Sequence, residues 1–97
     1  MIQVKVKRSA EADIDSAREW YDLQSPGLGN QFLDEMQAAL VRLAEFPFAA
    51  VEVEPGARRI LTNRFPYGII YVMEEDAAYV VAVVHLHRDP EVWRQRL

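Results

Sequence analysis

The 97-residue chain has no cysteine. Disulfides, thiolate zinc sites and cysteine nucleophiles are therefore excluded, and the count fits a cytoplasmic protein. No apolar run approaches the roughly 20 residues that span a bilayer. Met1 to Arg8 alternates and offers no apolar stretch of signal-peptide type, so no membrane association is expected. The four glycines, Gly27, Gly29, Gly56 and Gly68, form no phosphate-cradling loop. No serine sits in a nucleophile elbow and no zinc-finger spacing occurs. Lysine is confined to Lys5 and Lys7. The chain shows no repeat, linker or low-complexity tract, so residues 1–97 are read as one domain.

Hydrophobic residues make up 51% of the chain and charged residues 27%, enough apolar material for a packed core. The net charge of −4 is unevenly placed. Residues 1–8 carry only positive charges, residues 9–54 are strongly acidic, and residues 55–97 hold six arginines against five acids. The total disfavours direct, non-specific nucleic-acid binding, which calls for a basic domain.

Ile2, Val4 and Val6 alternate with Gln3, Lys5 and Lys7, the pattern of a half-buried strand. Ser9 reads as a helix cap ahead of acidic Glu11 and Asp13. Ala10, Ile14, Ala17 and Tyr21 then share a helical face. Gln24-Ser25-Pro26-Gly27 stops that helix. Leu28, Phe32, Met36, Ala39, Leu40 and Leu43 form the stripe of a second helix, ended by Pro47. The short break predicts an antiparallel helical hairpin. Trp20, Tyr21 and Phe32 are assigned to its packing.

The period then changes. Val51–Glu54, Arg58–Asn63, Ile69–Met73 and Ala77–Leu86 read as strands, separated by Pro55-Gly56, Phe65-Pro66-Tyr67-Gly68 and Glu74-Glu75-Asp76. Asp89-Pro90 opens a short helix from Glu91 to Leu97. The expected fold is α+β: a helical hairpin packed on an antiparallel sheet to which the first strand returns, with a short C-terminal helix.

His85 and His87 lie on one face of the last strand. They could pack, hold a metal or act in acid–base chemistry, but no third ligand lies nearby in sequence, so no metal is expected. Arg58, Arg59 and Arg64 form one group of guanidinium forks, and Arg88, Arg94 and Arg96 another. Such forks suit phosphate or carboxylate recognition, and the two groups would converge on the open face of the sheet. Asp13, Asp15, Glu19 and Asp22 read as a solvated helix face. Trp93 would pin the tail helix or anchor a partner.

Several segments, in this order, resemble one family. Ala10-Glu11-Ala12-Asp13-Ile14 and Trp20-Tyr21 come first, then Pro26-Gly27-Leu28-Gly29 with Phe32-Leu33. Arg58-Arg59, Phe65-Pro66-Tyr67 and Tyr71 follow, and Val83-Val84-His85, Arg88-Asp89-Pro90 and Trp93-Arg94 close the series. Together they look like the ParE/RelE superfamily, the bacterial toxins of type II toxin–antitoxin pairs, among them plasmid stabilisation proteins. The resemblance covers nearly the whole chain and implies a helical hairpin against an antiparallel sheet.

It also implies a cognate antitoxin of ribbon–helix–helix type, whose disordered C-terminal segment folds in a groove beside the hairpin and across the sheet. ParE-like members inhibit DNA gyrase as binding proteins. RelE-like members cut messenger RNA on the ribosome with a basic cluster and a tyrosine or histidine near the C-terminus. This chain has no tyrosine after Tyr79 and a net charge of −4, which favours the gyrase-directed, non-enzymatic reading. Arg58, Arg59, Arg64, Arg88, Trp93 and Arg94 are then the expected contacts to target or antitoxin. The alternatives are a ribonuclease using His85, His87, Arg59, Arg64 and Arg88, or a toxin-derived domain that binds its partner without toxicity. No cofactor is implied.

Overall fold

A computed structural model describes residues 1–97. Strand β1 (Gln3–Val6) leads directly into helix α1 (Arg8–Gln24), followed by helix α2 (Leu28–Glu45). Strands β2 (Val51–Glu54), β3 (Ala57–Leu61), β4 (Tyr67–Glu74) and β5 (Ala77–His85) follow, and a single helical turn, α3 (Glu91–Arg94), comes last. The strands form one sheet in the order β1-β5-β4-β3-β2. The α+β architecture is the one expected from the sequence.

Strands β2 to β5 run antiparallel, because tight turns join each to the next. β1 lies parallel to β5, with Val4 opposite Ala78 and Val6 opposite Val80, so the sheet is mixed and not antiparallel throughout. No hairpin turn joins β1 to its neighbour, so its direction is free to follow the path into α1.

Ser9 does not cap α1. Lys7 occupies the cap position in extended conformation, and Ser9 lies inside the first turn, where its Oγ donates to the Val81 carbonyl at 3.0 Å. The hydroxyl thus satisfies a sheet carbonyl instead of a helix N–H. The two helices meet closely at Gly29, where an added Cβ would fall 2.6 Å from the Arg18 carbonyl oxygen. The Gly29 N–H donates to Asp22 Oδ1 at 2.7 Å, so Asp22 fastens the hairpin rather than only facing solvent. Gly27, at φ 89°, makes the left-handed turn between the helices.

The inner core joins Phe32, Met36, Ala39 and Leu43 to Ile69, Tyr71, Ala78 and Val80. Trp20 departs from the expected packing. It is 56% exposed, touching the edge of Tyr21 from outside the core. On the outer sheet face, Ala57, Ile70, Ala82 and Val84 are covered by Trp93, which is buried and pins the tail, the first of the two roles read for it from the sequence. The tail helix ends at Arg94 and not at Leu97, since the chain turns back and Arg96 reaches α1.

Strand β5 carries a bulge. Val80 stands opposite Tyr71 and Ala82 opposite Ile70, which leaves Val81 as an extra residue. Ala78 and Val80 face the helices before it. After it the parity reverses, so that Val83 and His85 face them.

Candidate functional site

The C-terminal end of β5 and the face of α1 enclose an open cleft of about 660 Å³. Trp20 and Tyr21 line it from α1, Tyr67 from the start of β4, and His85 and Arg88 from the end of β5 and the turn beyond. Asp13 and Arg96 form one wall.

That wall rests on a dense set of hydrogen bonds at the bulge. Arg96 grips Asp13 with both terminal nitrogens, at 2.6 Å and 3.1 Å, and also donates to the Val81 carbonyl at 3.2 Å. The Val83 N–H donates to Asp13 Oδ2 at 2.9 Å. A bidentate arginine–carboxylate pair fixes orientation as well as distance. Its hydrogen bond to Asp13 raises the Arg96 pKa above the ordinary value, so the guanidinium stays charged. The chain after β5 is thereby strapped to α1.

Inside the cleft, the Tyr67 and His85 rings meet edge to face at 5.4 Å, and the exposed His87 ring lies 5.0 Å from His85. The His87 N–H donates to His85 Nδ1 at 3.1 Å, so a neutral His85 carries its proton on Nε2. Burial pushes the Tyr67 phenol above its ordinary pKa, reinforced by Tyr21 and Asp13 and opposed by Arg88. Burial does the same to Tyr21. Both phenols remain hydrogen-bond donors at neutral pH. The cleft thus offers aromatic faces, phenol donors and an imidazole, with the exposed Arg88 as its free cation.

The two arginine groups do not converge. Arg58 and Arg59 are adjacent on β3 and therefore point to opposite faces. Arg58 lies at the helix-side edge, donating to the carbonyls of Phe48 at 3.1 Å and Ala50 at 2.7 Å, with Glu52 at 3.9 Å. Arg59 lies on the outer face. Arg64 sits over α2, its N–H on Glu35 and its guanidinium on Gln31. Arg94 pairs with Glu54 and Glu91 beyond the outer face. Only His85, His87 and Arg88, of the residues singled out for chemistry, come together. No third His, Asp or Glu gathers with the two histidines.

Sequence reasoning passed over Tyr67 and the Asp13–Arg96 clamp. Tyr67 could be paired by counting outward from the Glu74–Ala77 tip, but that count puts it opposite Val84. The bulge shifts its partner to His85. For Asp13 and Arg96, separated by 83 positions, no local signal exists.

A helical hairpin on one face of a five-stranded sheet is a fold shared with a solved toxin–antitoxin protein. The match is to a chain described as "Chromosomal ParDE TA system from P. aeruginosa", with a TM-score of 0.68. It covers 90% of this chain and 98% of that one at 16% identity, so the likeness is one of fold. A family model, "ParE toxin of type II toxin-antitoxin system, parDE", matches residues 4–90. The chain belongs to the ParE toxin family. No curated protein matches it. The matched segment contains Tyr67, His85 and Arg88, whereas Trp93, Arg94 and Arg96 lie beyond it.

Proposed function

We propose that this ParE-family chain inhibits DNA gyrase by binding it, in the cytoplasm, and is neutralised by a cognate ribbon–helix–helix antitoxin. The dispersal of the arginines is the observation that carries this reading. An RNA-cutting site needs several cations converging on phosphates, and here Arg58, Arg64 and Arg94 are engaged by internal partners while Arg59 faces the other side of the sheet. The cleft instead sets an exposed tryptophan, tyrosines and one free arginine side by side, the residue types that anchor protein–protein contacts.

Titration of the purified protein into a gyrase supercoiling reaction tests the reading. Supercoiling is expected to fall, cleaved DNA to accumulate, and the purified antitoxin to reverse both. Trp20→Ala and Arg88→Glu should each weaken inhibition by about tenfold or more, the loss of one anchor being worth roughly 1.4 kcal/mol or above. Unchanged supercoiling at high excess of folded protein would overturn the proposal.

One observation favours a second reading. Tyr67, His85 and Arg88 line the cleft, with His87 against His85 at its rim, and imidazole and phenol are acid–base groups. Under this reading the protein cleaves messenger RNA on the ribosome, and His85→Ala and His87→Ala abolish cleavage without unfolding it.

A further inference from the structure

The side chains that line the cleft offer donors and no free anion. Its only carboxylate, Asp13, is taken up by Arg96 and the Val83 N–H. Arg88 is exposed and enters none of the ion pairs of the protein. His85 accepts the His87 N–H on Nδ1, so the neutral ring has only its Nε2–H left for a ligand, and that group donates. The hydroxyls of Ser9, Thr62 and Tyr71 are bonded within the protein, whereas those of Tyr21 and Tyr67 are not.

These free groups are within reach of a ligand. The only buried side-chain nitrogen or oxygen without a partner is Arg59 Nε, far from the cleft on the outer sheet face. The unbonded Tyr67 hydroxyl and His85 Nε2 are therefore open to solvent. They also lie together, the Tyr67 ring being 5.4 Å from His85 and 6.1 Å from Tyr21. The Arg88 charge acts on the Tyr67 phenol, which places the guanidinium on the same side. Next to this donor group stand apolar surfaces, Trp20 at 56% exposure and Val92 at 36%.

We infer that the cleft takes a glutamate or aspartate side chain of a protein partner, its carboxylate on Arg88, the His85 Nε2–H and the Tyr67 hydroxyl, and an adjacent apolar residue of that segment on Trp20 and Val92. A carboxylate is acceptor-only and has lone pairs enough for all three donors, and the fork of Arg88 makes the contact charge-assisted. A neutral amide would set its own N–H groups against them. A nucleic-acid strand is the poorer occupant. It carries a charge at every residue, only one cation of the cleft is free, and the exposed Asp15 and Glu19 stand beside Ser16 and Trp20 on α1. The inference rests on the protein-binding reading of the cleft and states what the partner presents, whichever protein it is.

The probe is the peptide acetyl-Leu-Glu-Leu-amide, with acetyl-Leu-Gln-Leu-amide as its neutral twin, followed by NMR at the Trp20 indole N–H and the Arg88 backbone N–H. The glutamate peptide should shift both signals saturably with a Kd of about 1–10 mM, as befits a small ligand held by one charged contact. The glutamine peptide should bind about tenfold more weakly or worse, as should the glutamate peptide to Arg88→Gln. Tyr67→Phe, which keeps the ring and loses an unbonded hydroxyl, should weaken the glutamate peptide by about threefold or more. At about pH 8, where an ordinary histidine is neutral, the nitrogen shifts of His85 should place its proton on Nε2. Equal responses to the two peptides, no saturable shift by about 50 mM, or unchanged affinity in Arg88→Gln would overturn the proposal. So would a His85 proton on Nδ1, or saturation of the same signals by inorganic phosphate or a uridine octanucleotide at lower concentration than by the glutamate peptide. Glutamate-selective binding by a protein that leaves gyrase supercoiling untouched would uphold the carboxylate site and remove gyrase as its partner. Supercoiling lost without any preference for the glutamate peptide would do the reverse.

Discussion

Asp13 receives the backbone N–H of Val83 and the fork of Arg96 at the same time. Its removal strands two sets of donors, one of them a part-buried guanidinium. Asp13→Ala should therefore lower unfolding stability by about 2–4 kcal/mol, read from urea denaturation. Arg96→Ala should cost less, because the Val83 N–H keeps its acceptor. Tyr71 offers a second single-residue test. Its hydroxyl donates to the Pro47 carbonyl at 2.7 Å, and Tyr71→Phe should lose about 1 kcal/mol while keeping the ring in the core.

The three tyrosines Tyr21, Tyr67 and Tyr71 also set an alkaline limit. Burial is the first cause of a raised pKa in each, from an ordinary value of 10.0. The folded state therefore holds phenol protons that the unfolded state releases. That stabilisation is intact below the unfolded pKa and is lost as pH rises through the folded values. Tm measured from about pH 8 upward should stay level with respect to these groups, then fall above about pH 10, and Tyr67→Phe should make the fall shallower.

The helical hairpin depends on one close approach. Gly29 sits where a methyl group would strike the Arg18 carbonyl and the Asp22 carboxylate. Gly29→Ala should thus push the helices apart and cost about 1–3 kcal/mol, against the few tenths to one that alanine ordinarily gains inside a helix. Equilibrium unfolding of the single variant decides the sign. On the opposite side of the sheet the tail is pinned by Trp93. Trp93→Ala would uncover Ala57, Ile70, Ala82 and Val84 and should cost about 3–5 kcal/mol, with raised binding of hydrophobic dyes to the native state.

These elements were legible in the sequence to different degrees. The alternation of Ile2, Val4 and Val6 and the stripe from Leu28 to Leu43 mark β1 and α2 because burial on one face leaves a periodic trace. Pro26-Gly27 and Pro47 bound the helices through backbone geometry alone. The bulge at Val81 left no such trace. Ala77 to His85 is apolar nearly throughout, so a one-residue change of face alters nothing in its pattern, yet it decides that His85 enters the cleft and Val84 packs under Trp93.

Across the molecule, the arginines show how far charge can be read without a fold. Six fall in residues 55–97, and on paper they look like one basic surface. Strand pleating sends Arg58 and Arg59 to opposite faces, and carbonyls, Gln31, Glu54 and Asp13 engage most of the rest. What remains is two single cations on two sides of the sheet, Arg88 at the cleft and Arg59 on the outer face.

Periodicity, turn residues and composition, which act over a few positions, determined the α+β layers, the helical hairpin, the meander and the absence of thiol chemistry from the sequence alone. The order of motifs carried the ParE/RelE resemblance. Three matters were decided only in the tertiary structure: the parallel seat of β1 beside β5, the register shift that turns His85 towards Tyr67, and the clamp between Asp13 and Arg96. Each joins groups more than seventy residues apart, or turns on a single extra residue in a uniformly apolar strand. The forces that set them, backbone pairing and the satisfaction of buried donors, impose no period on the chain.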